Sequence, residues 1–398
     1  MDQKFELAMR PCFVCNSVES DAVLLDEFLA DASDFRNSKE ISTKFYYEIA
    51  TCRSCGHNSI RTDNPCLLPT RKHDFVKYGE PTEHYPLISK VLKSLNINFN
   101  DTSIHTFSYK DFNLANFLSA QLNVSDVNLN NWLGCSDDWL PNTSTQISGD
   151  DPNPLRDFFA EINKSKKSHK IILITRFFDH VASQELLKKM IGIASATVHI
   201  VFDLNDYDEL FTRGTLEFIW NERRNFFHKI HIEHMLTRED QRFSIFTYES
   251  PKVSPTLTGL ISHLLPKRED VLNEKAPEKI NHNLGNRLIA LRNRWQENLT
   301  DNHKLGIIGA SHKGVSLAQF ILDPQTTYSL HDDKEVLRGK VAPVLPPLGF
   351  HSVSDFDFSD YTHIAITTTL AIAAKIIPKL RASGYTGEIL DFDGKRLD

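Results

Sequence analysis

Short apolar runs bounded by polar residues recur along this chain and alternate with segments of helical spacing. Residues 85–95 repeat their apolar positions at the interval of a helix face. Lys170-Ile-Ile-Leu-Ile-Thr175 is a brief β-branched run entered from the polar, basic stretch 163–169, which predicts a buried strand. Residues 183–193 read as a helix and 196–202 as another buried strand. Strand, helix, strand predicts parallel neighbours joined by a right-handed crossover. The same alternation returns near the C-terminus. Strands are predicted over 304–308, 361–367 and 388–391, with helices over 315–321 and 371–383. A helix over 284–298 aligns Leu284, Leu288, Leu291 and Trp295 on one face. Residues 251–282, rich in Pro, Ser, Lys and Glu, read as containing a linker, and 44–50 as a β-like run.

At 398 residues the chain exceeds one ordinary core. The expected class is α/β, in three parts: a small module over 1–70, a Rossmann-like unit over 71–265 and a second α/β unit over 275–398. A hydrophobic fraction of 40% and a charged fraction of 24% fit a globular protein. No run of about 18 apolar residues exists, so no membrane span is expected. The first ten residues carry charges and no apolar core, so a cytoplasmic location is the expectation. A net charge of −7 weighs against broad nucleic-acid binding. One local basic spot for an anionic ligand remains compatible with it.

Three segments carry candidate chemistry. Cys12-Phe-Val-Cys15 and Cys52-Arg-Ser-Cys55-Gly56 are two Cys-x-x-Cys turns. Each aims two sulfurs at one ion, and four thiolates satisfy zinc with no open position, so a structural zinc is expected. Cys66 and Cys135 are single and read as small buried hydrophobes. Gly306-Ile-Ile-Gly309-Ala-Ser-His-Lys313-Gly314 lies between a predicted strand and a predicted helix. Such a turn lets backbone N–H groups approach a phosphate, with Lys313 adding charge. A tight turn without a ligand fits the spacing equally well. The third segment, residues 214–228, is dense in aromatic and ionisable groups. Arg223 and Arg224 have forked donors that suit a phosphate or carboxylate, or they belong to a charged helix start or loop on the surface. His228, His231 and His234 share helical spacing. Metal binding is conceivable there, and solvated histidines are the simpler reading.

Together these segments resemble the sugar C-methyltransferase family, over nearly the whole chain. The family's Gly-Ala-x-x-Lys-Gly turn looks like Gly309-Ala310-Ser-His-Lys313-Gly314. Its following stretch looks like His331-Asp332-Asp333 through Gly339, Lys340 and Pro343. The stretch Phe202-Asp-Leu-Asn-Asp-Tyr-Asp-Glu-Leu resembles the approach to its Tyr-His-Glu-His motif, which falls on Trp220-Asn221-Glu222-Arg223. The resemblance implies a zinc module, a Rossmann-like domain binding S-adenosylmethionine, and a C-terminal domain holding a nucleotide-linked sugar. It implies substrate contacts from Trp220, Asn221, Arg223, Gly309, Lys313 and Gly314. Two departures stand out. The counterpart of the family's glycine-containing cofactor loop, residues 103–114, has no glycine. The motif's histidines are replaced, which leaves Glu222, or a histidine elsewhere in the chain, as the candidate general base.

Two readings follow. The first is a divergent methyltransferase-like protein acting on or binding a nucleotide-linked sugar, with S-adenosylmethionine as donor. The second is a repurposed or non-catalytic relative that binds the nucleotide sugar, or supports a partner enzyme of a sugar pathway, without that donor.

Overall fold

A computed structural model describes residues 11–28, 45–62, 82–130, 154–181, 184–216, 218–219, 223–249, 255–267, 279–299, 303–344, 347–354 and 357–397. These residues build three sheets.

The first sheet is antiparallel, in the order β1 (Ser20–Phe28), β2 (Phe45–Cys52), β3 (Asn58–Thr62) and β8 (Asn225–Phe226). Its last strand comes from far along the chain, so the N-terminal module is not built from its own residues alone. Tyr47, Ile49 and Ile60 share one buried core with Leu284 and Leu288 of α7 (Leu284–Asn298). On the neighbouring pair, Arg61 Nη1 donates to Glu48 Oε1 at 3.2 Å.

The second sheet has the order β5-β4-β6-β7-β10-β9. Strands β5 (Asp126–Asn128), β4 (Thr102–Thr106), β6 (His169–Thr175) and β7 (Val198–Asn205) are parallel. After β7 comes the short helix α5 (Tyr207–Arg213), and strand β10 (Thr256–Ile261) runs antiparallel to both β7 and β9 (Phe243–Tyr248). The buried run read from the sequence is β6, and its residues alternate between two cores as a strand of period two must. Ile171 and Leu173 meet α1 (Tyr85–Lys93) and α2 (Phe112–Leu122). Ile172 and Ile174 meet α3 (Pro154–Lys164), α4 (Gln184–Ile191) and α6 (Lys229–Arg238). Of the stretch read as containing a linker, residues 256–261 belong to this sheet, and 268–278 lie outside the described residues. All six residues of β10 are buried at the heart of this sheet. Gly259 there lies where a Cβ would come within 2.1 Å of the Phe202 ring.

The third sheet has the order β13-β14-β12-β11-β15-β16. Strands β14 (Leu348–His351), β12 (Thr327–His331), β11 (Lys304–Ile308), β15 (His363–Ile366) and β16 (Glu388–Asp391) are parallel, and β13 (Val341–Ala342) pairs antiparallel with β14. Helices α8 (His312–Phe320) and α9 (Leu370–Ala382) connect its strands. Leu284, Leu288, Leu291 and Trp295 of α7 are all buried, on the face their spacing marks. Helix α8 begins three residues before the expected start, so Lys313 and Gly314 lie in its first turn and not in the preceding loop.

Both α/β sheets flank their first strand with later ones on both sides: β4 lies between β5 and β6, and β11 lies between β12 and the later β15. Open sheets of this kind take ligands outside the carboxyl ends of the strands, where the chain order reverses. The two places to inspect are therefore the ends of β4 and β6 and the ends of β11 and β15. Among the described residues no helix is long and apolar enough to cross a membrane.

Candidate functional site

The two cysteine turns form matching knuckles at one end of the antiparallel sheet. Asn16 N–H donates to Cys12 O at 3.0 Å, and Gly56 N–H to Cys52 O at 2.9 Å. Asn16 and Gly56 both take positive φ, 62° and 77°. At Gly56 a Cβ would also lie 2.0 Å from the carbonyl oxygen of Ile280, so only glycine fits. The sulfurs of Cys12 and Cys55 stand 3.7 Å apart and those of Cys15 and Cys52 3.5 Å. All four ligand atoms lie within 4.8 Å of one another. A tetrahedron with metal–sulfur bonds of about 2.3 Å has edges of roughly 3.8 Å, so the donor set fits one thiophilic ion. Sharing protons with Cys12 lowers the Cys52 thiol and takes Cys15 down to about 7, while Cys12 and Cys55 move up. With four protein sulfurs no coordination position is left for a substrate.

Histidines pack around this cluster. His57 Nδ1 is 3.8 Å from Cys12 Sγ, and His231 Nε2 lies 3.2 Å from Cys55 O. His228 Nδ1 pairs with Asp208 Oδ1 at 2.6 Å. The expectation of solvated histidines is corrected: His228 and His231 are fully buried, and His234 is half-buried. Burial holds His231 at about 3 and His57 well below the usual range, so both rings are neutral.

The second feature is an open crevice of about 650 Å³ at the ends of β11 and β15. The glycine turn shapes its floor. Gly309 has φ 80°, and a Cβ there would lie 2.3 Å from Thr368 Cγ2. At Gly314 a Cβ would meet Ile307 Cγ2 at 3.0 Å, so that glycine sets helix-to-strand packing. The Gly309 and Ala310 N–H groups are taken by His331 O. What the crevice offers a ligand therefore comes from the first turn of α8 and from side chains. Lys313 lines it from α8, and Asp332 and Lys334 line it from the loop after β12. Burial raises the Asp332 carboxyl and lowers the Lys334 ammonium. Asp333 is spent on the loop after β14, accepting from Ser352 Oγ at 2.9 Å and Val353 N–H at 2.8 Å. Val353, Phe358, Ile372 and Ile376 add apolar lining.

The middle unit brings charges close to this crevice. Asp179 is fully buried, accepts from Tyr207 Oη at 2.7 Å and faces His180 Nε2 at 3.6 Å. Arg223 Nε lies 3.5 Å from Asp179 Oδ2, and its Nη1 donates to Phe218 O at 3.2 Å. Arg223 is thus an interior residue engaged by protein partners, and not part of a charged surface loop. Its charge still reaches across, since burial first and then Lys313, Arg223, Lys334 and Lys110 hold His312 well below the usual range. Sequence reading missed Asp179 and His180. Their signal was a charged pair four and five residues past a buried parallel strand, in the loop where ligands of such sheets bind. Trp220, Asn221, Glu222, Cys66 and Cys135 lie outside the described residues.

No family model matches this sequence, and no curated protein matches it. Solved structures do match part of it. The methyltransferase domain of bacterial CtHen1-CN aligns at 12% identity and a TM-score of 0.30, over 45% of this chain and 97% of that one. A precorrin-6y C5,15-methyltransferase from Geobacter metallireducens aligns at 10% identity and 0.27, over 49% and 97%. A SAM-dependent methyltransferase from Aquifex aeolicus aligns at 11% and 0.26, over 46% and 94%. The α/β assignment rests on the chain's own strand order.

Proposed function

We propose that this chain is a methyltransferase-like protein that binds a nucleotide-linked sugar in the C-terminal crevice, with zinc as the structural ion on Cys12, Cys15, Cys52 and Cys55. One observation carries the reading: a crevice of about 650 Å³ at the switch point of the parallel strands, edged by lysines and the half-buried Asp332 carboxylate. Its size suits a ligand of that class. Lys313, in the first turn of α8, and Lys334 suit a diphosphate. Asp332 stands at the end of the second strand, where an acidic side chain accepts ribose hydroxyls. The apolar lining of Val353, Phe358 and Ile372 suits a base or a deoxysugar.

Titration calorimetry of the zinc-loaded chain with UDP-glucose, dTDP-glucose, their free nucleoside diphosphates and glucose 1-phosphate tests the proposal. Micromolar binding of at least one nucleotide sugar is expected, weakened about tenfold in Lys313→Ala, which corresponds to about 1.4 kcal/mol. Affinity unchanged in both Lys313→Ala and Lys334→Ala would remove the ligand from this crevice.

A further inference from the structure

We infer that the middle sheet has no S-adenosylmethionine site, because the crevice where such a ligand would enter is built shut by the chain itself. The crevice lies between the carboxyl ends of β4 and β6. The residue that leaves β4 is Phe107, and its side chain is only 1% exposed. Its ring packs against Phe158 of α3 at 5.1 Å and against Phe177, two residues past β6, at 4.7 Å. A ligand lying over the end of β4 must displace this aromatic group.

The backbone donors are also consumed. An anion-binding turn keeps its N–H groups for the ligand. Here Asp111 Oδ2 accepts from Phe107 N–H at 2.8 Å and Ser108 N–H at 2.7 Å. Its Oδ1 accepts from Thr175 N–H, at the end of β6, at 2.5 Å. One carboxyl group thus stitches together the two strand ends that a ligand would part. It also occupies the place where a bound amino-acid carboxylate would seek donors.

Both flanks are closed in the same way. Beside β6, Arg176 is buried with Nη1 on Asn205 Oδ1 at 2.5 Å, Nη2 on Thr256 Oγ1 at 2.7 Å and Nε 3.4 Å from Asp203 Oδ1. Beyond β5, Thr106 Oγ1 donates to Asn130 O at 2.8 Å and accepts from Asn130 N–H at 2.7 Å. The carboxylate in β5, Asp126, sits at the strand's other end, with Ser165 Oγ 3.4 Å from its Oδ2. Among the described residues no acidic side chain stands at the carboxyl end of β5, where ribose hydroxyls would need one.

The inference does not depend on the nucleotide-sugar proposal, since it concerns the other sheet. Calorimetry and saturation-transfer NMR on the full zinc-loaded chain, with S-adenosylmethionine and S-adenosylhomocysteine as probes, test it directly. A cooperative melt on the same sample establishes that the protein is folded. The expected result is no saturable binding by either probe. A dissociation constant below about 1 mM for the unsubstituted protein would overturn the inference. Binding gained only in Phe107→Ala would support it, by identifying the ring as the plug. A nucleotide-sugar titration that fails on that folded sample sinks the other proposal and leaves this one standing.

Discussion

The middle and C-terminal sheets share a layout and differ in what stands at the same topological position. Each begins with a central strand, turns through a short loop into a helix, and flanks that strand with later ones on both sides: β5 and β6 beside β4, β12 and β15 beside β11. At the end of β11 the loop residue is Gly309, with positive φ and no side chain, and a crevice of about 650 Å³ follows. At the end of β4 the loop residue is Phe107, and the space is filled by its ring and by the Asp111 carboxyl. The fold supplies a position for a ligand, and the residue at the first turn decides whether the position is used. The closed switch point still serves as a wall: Asp179, in the turn after β6, pairs with Arg223, which precedes β8.

The largest test concerns what holds the two regions together. The knuckle at Cys52 and Cys55 touches both: Ile280, just before α7, donates its N–H to Cys55 O at 3.2 Å, and His231 of α6 lies against the same oxygen. Structural zinc contributes on the order of 10 kcal/mol in small modules. Chelation, or Cys55→Ser, should therefore abolish the N-terminal sheet and lower the melting temperature of the whole chain. A metal-free sample that melts like the loaded one would mean that the two α/β units stand without it.

Phe107→Ala should cost about 3–5 kcal/mol in urea unfolding if the ring is packed as core. A loss under about 1 kcal/mol would mean the site collapses or hydrates easily, and the contrast with Gly309 would fade.

Acid should separate the regions next. Burial holds His105 and His199 of the middle sheet, and His331 of the C-terminal sheet, at about 4. Their folded values lie below the unfolded value of about 6.5. The stability they contribute is thus fully present above that pH and is lost as pH falls toward 4. Each contributes a slope of at most about 1.4 kcal/mol per pH unit. Denaturation at stepped pH should show stability declining below pH 6.5, with a shallower decline in His199→Gln. An equal decline in both proteins would mean that His199 is not held neutral.

Asp111 gives the smallest and opposite signal. Burial pushes its carboxyl up to about 7, against its backbone donors. Its contribution is fully present below the unfolded value near 4 and is lost as pH rises through 7. The stability gap between wild type and Asp111→Asn should therefore narrow from pH 5 to pH 8, by no more than about 1.4 kcal/mol per unit. A widening gap would show that the three N–H donors keep the carboxylate charged.

Elements with a clean apolar period were legible in advance. Helix α7 matches the stretch read for it, and β6, β11 and β16 fall where β-branched runs stand between polar residues. Strand β10 was not legible. Its sequence, Thr-Leu-Thr-Gly-Leu-Ile, follows a Pro- and Ser-bearing stretch and owes its place to neighbours on both sides. The short β8 was hidden for the same reason, since two residues have no period. The start of α8 was misplaced because His312 and Lys313 look like loop residues until Ser311 is seen to precede a helix.

By itself the sequence determined the chemistry that depends on residue type and close spacing. Two Cys-x-x-Cys turns can point four sulfurs at one ion because each turn fixes its pair locally. The glycine at 309 marks a tight turn because only glycine takes that backbone without strain. What depends on distant partners was decided by the tertiary structure alone. The sequence shows that residues 103–114 lack glycine, but not that Phe107 meets Phe158 and Phe177, or that Asp111 reaches Thr175. The four cysteines bring the sheet that they anchor against β8, α6 and α7, three segments whose contact no local pattern announces, because burial is shared among residues hundreds of positions apart.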